Sequence, residues 1–191
     1  GKNVTFHLLP VGVATENTTA LISRGMLLHP QDLITELNII SKVLGGKLRG
    51  NLIIDERVPL GLDTHRAKEK AYKTATKAGE GSTNKGIAAG YMSLLRRDAL
   101  TLKDLIDSDW KEKFSRHYDF TKTLVSGFLY EYFEDIQISI LGPDGKSVNQ
   151  AMGTKNEFLD RLEEDREIIR PFVKPLPEIY QTLQEVWTNK N

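Results

Sequence analysis

The chain has 191 residues, with 39% apolar and 27% charged side chains, which fits one soluble globular domain or two small ones. Its 26 basic residues balance 26 acidic ones, so it lacks the basic surplus that nucleic acid or an anionic membrane surface calls for. It contains no Cys, which excludes disulfides, thiolate metal sites and a Cys nucleophile. No apolar run nears the ~18 residues of a membrane span. The opening Gly1-Lys2-Asn3 carries neither Met nor an apolar stretch, from which we expect no signal peptide and a piece of something longer.

In chain order, residues 4–9 (Val-Thr-Phe-His-Leu-Leu) predict a strand closed by Pro10 and Gly12, and residues 19–28 a second β-like stretch with Gly25 as a bulge. Pro30 suits the first turn of a helix. Leu33, Ile34, Leu37, Ile40 and Leu44 follow at helical spacing until Gly45-Gly46. Leu52-Ile53-Ile54 predicts a short buried strand, and strand, helix, strand in that order predict an α/β unit.

From Asp63 the character changes. Residues 63–78 predict an exposed helix with five Lys or Arg against two acids, and Gly79 to Gly86 a polar glycine-rich break. Gly86 to Arg97 predicts a helix with Leu94 and Leu95 turned to the core, and Thr101 to Ile106 a short helix or turn. Leu124, Val125, Phe128, Leu129, Tyr132 and Phe133 predict one buried amphipathic helix. Ile136, Ile138 and Ile140 predict a short strand. Two helices close the chain, one carrying Phe158, Leu162 and Ile169 up to Pro171, the other Ile179, Leu183, Val186 and Trp187. The expected fold class is therefore α/β: a few N-terminal strands belonging to a larger mixed sheet, then a mostly helical region. The expected division is 1–62, part of a nucleotide-binding core, and 63–191, a mostly helical subdomain.

His7, His29, His65 and His117 are scattered, and no pair has the i, i+4 spacing of a helical metal site, so no metal ligand is expected. Asp63-Thr64-His65 sets a carboxylate near an imidazole, but Asp63 is expected to cap the helix starting there. Gly142-Pro143-Asp144-Gly145-Lys146-Ser147 evokes a phosphate-cradling loop. Position 140 is Ile where such a loop needs Gly, so a reverse turn is expected. Gly81-Ser82-Thr83-Asn84-Lys85-Gly86 combines small residues, two hydroxyls and a cation ahead of a helix. Backbone N–H groups there, with the hydroxyls, are good phosphate donors. Arg97, further along that helix, can offer a planar fork to phosphate oxygens. The same loop and Arg pair also read as an ordinary solvated surface.

Several segments resemble the adenylosuccinate synthetase family. HLLPVGVATENTTALISRGMLLHP (7–30), IIDERVPLGLDTHRA (53–67) and GSTNKGIAAGY (81–91) with the following RRDALTLKDLID carry the resemblance, as do residues 158–188. It is most specific over 81–105 and weaker between 107 and 155. It covers the middle of such an enzyme, without the glycine loop bearing the catalytic Asp, the segment bearing the His, or the C-terminal half.

The resemblance implies a ligase that joins L-aspartate to IMP in purine (AMP) biosynthesis, using GTP and Mg²⁺ bound mainly by parts outside these residues. It implies a cytoplasmic homodimer, with no nucleic-acid or membrane partner. Thr83 matches a residue holding the IMP 5′-phosphate, Ser82 its neighbour, and Arg97 a residue reaching that phosphate in trans. Gly81 and Lys85 complete the possible substrate loop, and no catalytic residue is expected in this segment, which alone is expected to be inactive. Asn84, Lys85 and Ala88-Ala89 depart from the family's Gly, Arg and Gly-Pro. A divergent relative acting on another purine nucleotide such as dGMP, or a non-catalytic nucleotide-binding module, is the alternative.

Overall fold

A computed structural model of the chain describes residues 5–77, 82–127 and 132–188, with a small parallel sheet and a β-hairpin set among helices. β1 (Thr19–Ile22), α1 (Pro30–Val43) and β2 (Asn51–Asp55) form the expected β-α-β unit, with β1 and β2 parallel from Thr19↔Asn51 to Ile22↔Ile54. β5 (Val173–Lys174) adds to the other side of β2, in parallel, giving the order β1-β2-β5. β2 is therefore central. Leu52, Ile53 and Ile54 are all buried, as a strand covered on both faces must be. Pro30 is the first residue of α1, Leu33, Ile34, Leu37 and Ile40 face the core, and Gly45 and Gly46 stop the helix at φ +93° and +108°.

Of the strand expected over 4–9, Val4 lies outside the described residues and no strand forms over 5–9. Residues 5–9 are irregular and Val11–Ala14 make a single 3-10 turn. The backbone N–H groups of His7 and Leu8 donate to the Glu36 carboxylate at 2.7 and 2.8 Å, which takes the place of a ladder partner. The stretch 19–28 is a strand only to Ile22. Beyond it the chain turns, and Leu28 makes a lone bridge to Leu60.

α2 (Asp63–Thr76) is not the exposed helix its charge predicts, because Asp63, Thr64, His65, Arg66, Ala67 and Ala71 are buried. In α3 (Ile87–Arg96) the buried residues are Ala89, Gly90 and Ser93, while Leu94 and Leu95 point outward, Leu95 79% exposed. The small face is the packed one because Leu27 lies so close that a Cβ on Gly90 would sit 2.5 Å from it. α4 (Leu102–Ile106) starts in a Thr101/Asp104 capping box.

α5 (Trp110–Ser126) buries Trp110, Phe114, Tyr118, Thr121 and Val125. The helix expected to run through Phe133 ends at Ser126. Phe128 and Leu129 lie outside the described residues, and Phe133 is buried in a separate 3-10 turn after an exposed Tyr132.

β3 (Gln137–Leu141) and β4 (Ser147–Ala151) pair antiparallel across the turn at Pro143-Asp144-Gly145, as expected of that sequence. α6 (Lys155–Ile169), opened by a Thr154/Glu157 capping box, packs on α1. α7 (Leu176–Thr188) buries Ile179 but leaves Trp187 77% exposed. One apolar cluster runs from Leu9 through α1, β2, α2 and α5 to Val173, tying the sheet to the helices. Among the described residues no helix is long and apolar enough to cross a membrane.

Candidate functional site

The loop before α3 is held in place by a carboxylate on α2. Ser82 Oγ donates to Glu69 Oε1 and the Gly86 N–H to Glu69 Oε2, each at 2.5 Å. Ser82 Oγ also accepts the Asn84 N–H at 3.1 Å. Asn84 sits at φ +55° and Gly86 at φ +72°. Asn tolerates that left-handed conformation, which explains why it can stand where the related loop has Gly. At Gly86 a Cβ would lie 2.8 Å from the Arg66 backbone nitrogen, so the loop leaves α2 by a contact only Gly permits.

Thr83 is exposed and Lys85 half-buried, and neither side chain has a hydrogen-bond or ion-pair partner among the described residues. Gly81 lies outside the described residues. Arg97 caps the far end of α3 at φ +63°, exposed and with its guanidinium unpaired among the described residues. α3 has ten residues, so about 15 Å of helix separates the loop from Arg97. Within one chain the structure therefore does not bring Thr83 and Arg97 together.

Beside the loop lies a buried polar seam where the first turns of α1 and α2 meet β3 and α6. Arg66, 1% exposed, pairs with Asp32 at 2.6 Å, and Asp32 also accepts the Leu141 N–H at 3.0 Å. Asp63 accepts from Arg161 at 3.0 Å and contacts His29 Nε2 at 3.1 Å. His29 Nδ1 accepts the Asp32 N–H, so the tautomer with its proton on Nε2 satisfies both contacts. Asp63 thus serves His29 and Arg161. The helix cap is supplied by His65, whose Nδ1 accepts the Leu62 N–H at 3.1 Å.

Burial raises the Asp63 and Asp32 carboxyls, but His29 and the Arg66 and Arg161 guanidiniums beside them outweigh it and hold both below the usual range. His65 is pushed well below its ordinary value by burial and then by the charges of His117 and Lys68. A cavity of about 210 Å³ opens between seam and loop, lined by His29, Asp32, Arg66, Lys85, Ile87 and Leu141 among others. Arg66, one of the lining residues, has an Nε without a hydrogen-bond partner among the described residues.

The sequence singles out the loop and Arg97 as site candidates, but not Glu69, Asp32, Arg66 or Arg161, which the structure places around the loop and the seam. One signal was present: Asp32 and Glu36 stand at i, i+4 beside Leu33, Leu37 and Ile40, so charge falls on the face that helical spacing assigns to the core. A second apolar groove, of about 500 Å³, lies between α2, α3 and α5 and is lined by Tyr72, Ala88, Met92, Leu124 and others. Among the described residues no group of three or more His, Asp or Glu converges as metal ligands would, so these residues do not fit a Mg²⁺ site.

The family profile of adenylosuccinate synthetase matches residues 1–173. The adenylosuccinate synthetase of Wigglesworthia glossinidia brevipalpis is 32% identical over 127 residues, 62% of this chain and 29% of that protein. That of Cytophaga hutchinsonii is 30% identical over 135 residues, 70% of this chain and 31% of that protein. The chain thus spans roughly three-tenths of these curated relatives' length. A fully ligated adenylosuccinate synthetase from Plasmodium falciparum superposes with a TM-score of 0.67 at 20% identity, over 94% of this chain and 37% of that one, a likeness of fold.

Proposed function

The chain belongs to the adenylosuccinate synthetase family, and on that premise we propose that it is the nucleotide-phosphate-holding part of a GTP-dependent ligase joining L-aspartate to IMP. The observation that carries the reading is the loop at 82–86. It opens α3, bears two hydroxyls and a cation, and already holds an anionic group through a hydroxyl and a backbone N–H. Donors of that kind suit a phosphate monoester.

In this reading the loop grips the 5′-phosphate with Thr83 and Lys85 while Ser82 holds its shape, which fixes the purine for attack elsewhere in the enzyme. Arg97 completes the grip from a second copy of the chain. Two features support that assignment: the length of α3 between loop and Arg97, and the exposed apolar side chains Tyr91, Met92, Leu94 and Leu95 along the same helix. Such a row of apolar surface is suited to a protein partner. The enzyme of this reading works as a cytoplasmic homodimer. GTP and Mg²⁺ would be held by parts of the enzyme outside this chain and would supply the activation of IMP. The 191 residues alone bind nucleotide without turning it over.

The test is calorimetric titration of the enzyme containing this chain with IMP and dGMP, followed by turnover with aspartate and GTP. Saturable IMP binding weakened by Thr83→Ala, with turnover favouring IMP, supports the reading. Binding indifferent to Thr83 overturns it.

A further inference from the structure

The Glu69 carboxylate spans both ends of the loop: one oxygen takes the Ser82 hydroxyl and the other the Gly86 N–H. Glu69 lies on α2, one turn beyond the His65-Arg66 backbone against which Gly86 is packed. The loop is thus pinned to α2 by a steric contact at Gly86 and by a two-point charged clamp. Hydrogen bonds to a carboxylate are the strong kind, and two from one group fix direction as well as distance.

The Ser82 hydroxyl has given its single proton to Glu69 and accepts from Asn84, so it has no donor left for a phosphate oxygen. That leaves Thr83, exposed, and Lys85, two residues on and at the wall of the cavity, without side-chain partners among the described residues.

We infer that Glu69 is a positioning residue: by clamping Ser82 and Gly86 it presets the turn that presents Thr83 and Lys85 to the phosphate, and Ser82 acts through the loop rather than on the ligand. This deepens the phosphate-loop reading above and rests on it. A flexible loop has to be ordered at each binding event, whereas a preset one is ordered beforehand, so the clamp raises affinity for the phosphate-bearing ligand alone. The negative charge of Glu69 works the other way, by repelling phosphate. The sign of the mutational effect therefore decides between a clamp and a competitor for the same donors.

The experiment compares wild type, Glu69→Gln, Glu69→Ala and Thr83→Ala in the full enzyme, titrated with IMP and with inosine, which lacks the phosphate. Amide exchange of the 82–87 peptide is followed without ligand. We expect exchange there to rise about tenfold or more in both Glu69 variants. IMP affinity falls about tenfold, the order of one or two lost charged hydrogen bonds, and inosine binding is unchanged.

Unaltered exchange overturns the clamp. So does IMP affinity that is unchanged or tighter in Glu69→Gln, since the carboxylate is then a competitor. An equal loss for IMP and inosine also overturns it, as that marks general damage. If Thr83→Ala leaves IMP binding intact while exchange still rises in the Glu69 variants, the phosphate-loop reading fails and the clamp itself stands.

Discussion

Arg66 and Asp32 form an ion pair 2.6 Å long between the first turns of α2 and α1, with Arg66 only 1% exposed. The pair joins the β-α-β unit to the helices that carry the loop, and the Leu141 N–H on Asp32 draws the hairpin into the same knot. Asp32→Ala removes the counter-charge and leaves a guanidinium buried. It is expected to cost about 3–5 kcal/mol in urea unfolding. Replacing both partners with apolar residues, Asp32→Leu with Arg66→Met, should cost less than the single change, because no uncompensated charge remains. A double variant less stable than Asp32→Ala would contradict this account.

Arg97→Ala should weaken IMP binding by roughly 1.5–3 kcal/mol, the worth of a charged hydrogen bond. The helix length between Thr83 and Arg97 adds a stricter expectation. Mixing Thr83→Ala protomers with Arg97→Ala protomers should restore one intact site per heterodimer, read as recovered IMP binding. No recovery would rule out sharing between subunits.

Leu95→Glu, on the outward face of α3, should leave thermal stability of the single chain near wild type, since Leu95 is 79% exposed. It should shift sedimentation toward monomer. An unchanged dimer would place the subunit contact on another face.

Gly86→Ala brings a methyl 2.8 Å from the Arg66 nitrogen at a residue with φ +72°. Both effects act against the folded state, and a loss of about 1–3 kcal/mol is expected from chemical denaturation. Gly145→Ala, in the hairpin turn at φ +79°, would meet only Ile39 Cδ1 at an ordinary 4.0 Å and bears only the backbone strain. It should lose less.

Two titrations shape the pH dependence of stability. Burial pushes His117 from 6.5 to about 4, with Asp98 partly countering and Lys68 and Arg96 reinforcing. The unfolded chain takes up that proton first, so stability falls as pH drops from about 6.5 toward 4. Burial, and then the nearby Asp63 and Glu164 charges, raise Asp165 from 3.8 to about 7. The unfolded chain loses that proton first, so stability is lost as pH rises from 3.8 to about 7 and then levels off. Asp165→Asn should therefore stabilise at pH 8 and change little near pH 3, measured by melting curves at each pH.

Local sequence determined much of the fold: the β-α-β order, the Pro30 start and Gly45-Gly46 stop of α1, the buried run Leu52-Ile53-Ile54 and the turn at Pro143-Asp144-Gly145. Each depends on backbone chemistry or periodicity within a few neighbouring residues. The Ser82-Thr83 loop was legible for the same reason.

Tertiary structure decided the rest. The apolar alternation at 4–9 lost to Glu36, 27 residues or more away, which took its N–H groups. The charged start of α2 went inside because Asp32 and Arg161, at separations of 34 and 98 residues, neutralise Arg66 and Asp63. Leu94 and Leu95 turned outward because Leu27 accepts only the small face of α3. Glu69 could not be singled out beforehand, since a Glu in a charged helix gives no hint that two donors of the next loop will converge on it. Whether a charge is solvated or buried is settled by partners distant in sequence, and single-residue periodicity carries no record of them.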